Sequence, residues 1–174
     1  MIIQEQDLDI SKGERCTLSI KRFRHLYEYH FALNRMFWDY CIENLTWEQF
    51  LQKTGISVNT IRNQFVHLMS VEERWFSGIR RSPDPGFVNP LYFGKPEKIR
   101  RKWDTVEAEI REALEKLTDD DLEKPFEQNM KIWQVLYHVV NHGTAHRAQI
   151  GAMLRHLGFK PPPQDYIFYV MGRL

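Results

Sequence analysis

Apolar residues recur at three- and four-residue intervals through four long stretches, the spacing of helices that each bury one face. The first runs from about Leu18 to Leu45, with Ile20, Phe23, Tyr27, Phe31, Trp38, Ile42 and Leu45 on one stripe. The second spans about Asn59 to Ile79; Ser57 or Asn59 can cap it, and Ile61, Phe65, Leu68, Trp75, Phe76 and Ile79 form its apolar face. A third, from about Pro96 to Leu117, opens with proline in its first turn and carries Ile99, Trp103, Val106, Ile110, Leu114 and Leu117. The fourth runs from about Lys131 to Leu157 and ends at Gly158, a residue suited to terminating a helix. No stretch alternates as a sheet strand would, except a short piece near the N-terminus, and DYIFYVMGR at the other end suits a last short helix.

Four such helices in one chain predict an all-α fold, a helix bundle. Between the second and third lies Arg81 to Lys95, a connection rich in proline and glycine and aromatic in its second half. Connections of that length either carry function or cross over between parallel helices. Lys160 and Pro161 to Pro163 form a stiff exit from the fourth helix.

Composition narrows the class. The 174 residues, 43% of them hydrophobic, suit one domain spanning 1–174 with a single core. A formal net charge of +1 argues against a dedicated nucleic-acid binder. No apolar run approaches the roughly 20 residues of a membrane span, and the acidic, polar N-terminus lacks the pattern of a signal peptide. Cys16 and Cys41 imply neither a disulfide framework nor a thiolate metal site. The expected setting is a reducing cytoplasm.

The chemistry lies in the fourth helix, where His138, His142 and His146 recur every fourth residue. Residues at that spacing lie one turn apart and about 40° round, so adjacent imidazoles can meet at one ion. All three cannot, because His138 and His146 are roughly 12 Å apart along the axis. On a helical wheel, His146 lies about 25° and His142 about 65° from the centre of the inward face, with His138 at about 105°. His142 and His146 are therefore the expected ligand pair, flanked by Gly143 and Ala145; His138 and His156 are left at the surface or in a supporting position. Arg147 points about 60° away, towards a neighbouring helix or an anionic substrate. Lys98, Arg100, Arg101 and Lys102 read as a solvated basic face.

A metal needs a third ligand from a facing helix, with His67, Glu72 and His30 as candidates. Glu72 falls near the centre of the second helix's apolar stripe, where a carboxylate is costly unless paired or ligated. His67 lies about 130° away on that wheel, on the side of Gln64 and Val71. Periodicity alone ranks Glu72 and His30 first.

The string HVVNHGTAHRAQIGAMLRHLGFKPPPQDY resembles the DinB-like family of metal-dependent bundle proteins, within the wider DinB/YfiT-like superfamily. FALNRMFWDY, VHLMSVEERWF and KWDTVEAEI follow the same layout, so the likeness spans about Leu18 to Tyr169. Ala148 departs from the pattern where relatives carry glycine. The resemblance implies a four-helix bundle with a long crossover between helices two and three. It also implies a metal site of His67, His142 and His146, with Glu72 left as a supporting or acid/base residue. Three imidazoles leave a coordination position open, as catalytic sites do. The expected ion is zinc, with nickel the alternative, and the expected partner is a small-molecule substrate. By resemblance, a low-molecular-weight thiol and S-transferase chemistry are implied. A metal-dependent hydrolase and a non-catalytic stress-response or binding module are the competing readings. A homodimer is also expected by resemblance, with Trp47 and Phe168 as candidate exposed aromatics.

Overall fold

The computed structural model describes residues 18–174, so Cys16 and the possible N-terminal strand lie outside it. Its helices are α1 (Ile20–Asn44), α2 (Trp47–Leu51), α3 (Ile61–Ile79), α4 (Pro96–Lys116), α5 (Asp119–Leu122), α6 (Ile132–His156) and α7 (Tyr166–Val170). The four long ones are those expected from periodicity, shortened by a residue or two at most ends. Helix α3 is the exception in its cap. Thr60 accepts from the Asn63 amide at 3.0 Å, while Ser57 and Asn59 sit at φ 46° and 79° in the preceding turn. Helix α1 has no side-chain cap from its own sequence; Asp119, at the start of α5, accepts from the Ile20 amide at 2.7 Å.

Cross-helix contacts give the directions of the bundle. Tyr27 bonds Leu136 and Asn34 bonds Arg147, so α1 and α6 run parallel. Arg24 meets Leu114 and Arg35 meets Glu107, so α1 and α4 are antiparallel. Trp103 bonds Glu72 and Arg80 pairs with Glu109, which makes α3 and α4 parallel. Gln64 meets Gln149 and Trp75 meets His138, which makes α3 and α6 antiparallel. The order is up, down, down, up. Two successive parallel neighbours cannot be joined by a tight turn, so the connection after α3 has to travel the length of the bundle.

That crossover is tied down rather than loose. The Val88 amide donates to Ser70 Oγ at 2.9 Å. Arg74 holds Asp84 through two bonds of 2.9 and 2.7 Å, and Phe93 is buried. The core between the four helices is dominated by large side chains, among them Phe37, Phe65, Phe76, Ile99, Leu136 and Met153. Each is worth about 1.5–3 kcal/mol when fully withdrawn from water.

Three expectations change. Ile42 is exposed because α1 turns that position away from its neighbours. Trp47 is not free surface: it stacks on Phe50, with ring centroids 5.3 Å apart, and is partly buried. Phe168 is likewise partly buried, and the exposed apolar side chains of α7 are Tyr166, Ile167 and Val170. Among the described residues no helix is long and apolar enough to cross a membrane.

Candidate metal centre

Helices α3 and α6 lie side by side and bring His67 against His142 and His146. Ring centroids are 4.2 Å apart for His142 and His146, 4.6 Å for His67 and His146, and 5.2 Å for His67 and His142. One nitrogen from each falls within 4.8 Å of the other two. At metal–nitrogen bonds of about 2.0–2.1 Å, tetrahedral ligands sit about 3.3 Å apart, so small side-chain rotations bring this set to bonding distance. The three histidines can coordinate a metal ion.

Neutral imidazole is the form that binds metal, and this site favours it. Burial, then the neighbouring imidazoles of His146 and His67, depresses His142 to about 3. Burial and His67 bring His146 to about 4. Burial also lowers His67. Every ring is half-buried, so solvent still reaches the cluster.

His146 is further fixed by a hydrogen bond from its Nδ1 side to Gln64 Oε1 at 2.6 Å. Gln64, fully buried, donates in turn to Gln149 Oε1 at 2.9 Å. Neither glutamine is a metal ligand, and neither was singled out from sequence as functional. The available signal was their spacing: Gln64 is three residues before His67, and Gln149 three after His146. His138 is exposed, with its ring 5.8 Å from that of His142 and edge-on to Trp75.

The rival third ligands lie elsewhere. His30 and Glu72 belong to a sealed network between α1, α3, α4 and α6. Glu72 Oε1 accepts from His30 Nε2 at 2.7 Å and from Asn34 Nδ2 at 3.0 Å, and its Oε2 accepts from Trp103 Nε1 at 2.8 Å. Arg147 Nη1 donates to Asn34 Oδ1 at 2.7 Å, and Nη2 donates to Thr144 at 3.1 Å. Arg147 is completely buried, which makes its role interhelical. The basic residues of α4 are also engaged in part: Lys102 pairs with Glu73, and Arg100 with Asp104.

Beside the triad runs a slot. His67, Val71, Arg74 and Gly78 form one stripe along α3, and the last three line a cavity of about 320 Å³. Trp75, Phe126 and Phe87 supply its aromatic walls. Phe87, delivered by the crossover and 65% exposed, stacks against His67 at 6.1 Å between centroids and lies under the Arg74 guanidinium.

Known proteins share this chain's sequence pattern and its fold. The sequence model of the DinB family matches residues 16–172, and the chain belongs to that family. It is similar to protein DinB of Bacillus subtilis (strain 168), with 54% identity over 37 residues, a match covering 21% of this chain and 22% of that protein. The crystal structure of a DinB-like protein from Bacillus cereus ATCC 10987 has the same fold, with a TM-score of 0.64 at 22% identity, over 83% of this chain and 97% of that one.

Proposed function

We propose that this protein is a divalent-metal-dependent enzyme whose ion is held by His67, His142 and His146 and whose small-molecule substrate lies along the slot beneath Phe87. The carrying observation is the convergence of three half-buried imidazoles from two antiparallel helices. Three ligands would leave room for a fourth from solvent or substrate. Zinc is the first choice and nickel the second, since imidazole alone does not select between them.

A bound divalent ion would lower the pKa of a coordinated thiol or water and supply a nucleophile near neutral pH. The chain's own residues do the rest. The three rings would hold the ion, Gln64 holds His146, and the aromatic walls of the slot would shield an apolar substrate group from water. Glu72 serves the scaffold rather than proton transfer, because three donors already occupy its carboxylate. The family resemblance favours a low-molecular-weight thiol as the activated group, in an S-transferase reaction.

Metal analysis of the purified protein tests the first step, with about one ion per chain expected. Cobalt substitution then separates the chemistries: adding a small thiol should produce a thiolate-to-cobalt absorption band. Ester hydrolysis without thiol would instead mark a hydrolase. A protein that binds no divalent ion tightly would sink both and leave a non-catalytic module.

A further inference from the structure

We infer that Gln149 and Gln64 form a positioning relay that dictates which nitrogen of His146 faces the metal, an inference resting on the metal-binding reading. Gln64 stands on α3 one turn before His67, and Gln149 stands on α6 one turn after His146. The two carboxamides therefore bridge the same pair of helices that supplies the ligands, one turn away from them. The bridge is continuous from Gln149 Oε1 to Gln64 Nε2 at 2.9 Å, and from Gln64 Oε1 to His146 Nδ1 at 2.6 Å.

Such a bridge has a polarity, which can reverse only if both amides and the imidazole proton change over together. Here the Gln64 NH2 faces Gln149 while its oxygen faces His146. A neutral imidazole carries a single N–H. If Nε2 is the ligand, Nδ1 holds the proton and can only donate. Of the two ends of the Gln64 amide, only the oxygen accepts, so its NH2 must point the other way. Gln149 must then present its oxygen. Turning either amide over would set donor against donor, or acceptor against acceptor, in a place where Gln64 has no water to turn to. Free histidine prefers its proton on Nε2, the atom a ligand has to leave bare. In the observed orientation, with the Gln64 oxygen on His146, the relay reverses that preference before any ion arrives, and it raises the basicity of the ligating nitrogen. Among the described residues, His146 alone of the three rings is held this way. It is therefore the fixed point of the site, to which His67 and His142 adjust.

Nitrogen-15 NMR of the metal-free protein at neutral pH tests the assignment directly, through the histidine ring shifts. The wild type should show His146 protonated on Nδ1, and Gln64→Met should move the proton to Nε2. Zinc affinity, measured by competition with a chromogenic chelator, should fall about 10–100-fold in Gln64→Met. Gln64→Glu keeps an acceptor and should recover most of that loss, while Gln149→Leu should cost only a few-fold. A wild type protonated on Nε2, or a folded Gln64→Met with unchanged tautomer and affinity, overturns the relay. A wild type that binds no zinc but keeps the Nδ1 proton refutes the metal reading and leaves the relay standing. If Gln64→Met fails to fold, the wild-type tautomer still decides.

Discussion

Five buried polar side chains meet on the α1 side of α6 and nearly exhaust one another's hydrogen-bonding capacity, whereas three histidines meet on its α3 side and leave most of theirs unused. The first group joins Glu72 to His30, Asn34 and Trp103, and Asn34 to Arg147. Its charges, one carboxylate and one guanidinium, cancel within it. Arg147 Nε alone has no protein partner there. The second group carries no balancing charge, and a single ring is held by hydrogen bonding. A satisfied polar cluster closes on itself and fixes helix register; an unsatisfied one is complementary to something from outside.

The contrast can be broken from either side. Glu72→Ala should have the largest effect on the metal-free fold, about 3–5 kcal/mol, because it strands buried donors and the Arg147 charge. Urea denaturation measures it, and a loss below about 1 kcal/mol would deny the network its structural role. Gly143→Ala comes next. Its new Cβ would lie 2.7 Å from His30 Nδ1 and closer still to Cε1, an overpacking worth about 1–3 kcal/mol. Thermal unfolding of Gly143→Ala with and without His30→Ala should show strong coupling, since removing the ring removes the clash.

His142→Ala should leave the metal-free fold within about 1 kcal/mol of wild type, yet abolish metal retention after dialysis. Mild acid should act least. The folded chain holds His142 and His146 neutral down to about 3 and 4, while unfolded imidazoles take up protons below about 6.5. The stability these rings contribute is fully present above that value. It is lost as pH falls towards the folded values, with an amplitude reduced by their partial exposure. Protons compete with the ion for His142 and His146 only near the bottom of that window, and burial lowers His67 as well. Bound metal should therefore persist as pH falls below the ordinary imidazole value of about 6.5. Metal release already complete at pH 6 would contradict the depressed pKa values.

Much of this was legible in the chain because helical periodicity reports burial. The four long helices, the stop at Gly158 and the inward pair His142 and His146 all follow from spacing. His67 was legible only through family likeness. Its wheel placed the apolar centre of α3 towards the core, where Glu72 lies, whereas α3 buries a second face against α6, where His67 lies. A single stripe cannot describe a helix with two neighbours. The place of Glu72 on an apolar stripe shows that it needs partners but not which ones, because they come from α1 and α4, 31 to 42 residues away. The spacing of the two glutamines from the histidines is in the chain, but their pairing is not: its hydrogen bonds exist only once α3 and α6 are side by side.

That dependence also bears on when the centre forms. Gln64 and His146 are separated by 82 residues, and His67 stands alone on its helix as a ligand. A chain folded only as far as the crossover offers an ion one imidazole, no better than solvent-exposed histidine. His142 and His146 are local to one helix, but joining them to His67 closes a long span, so the complete three-histidine site waits for the docking of that helix. An ion held by all three rings would stabilise a bundle whose last long helix has docked. Occupancy by all three histidines would thus mark a finished bundle.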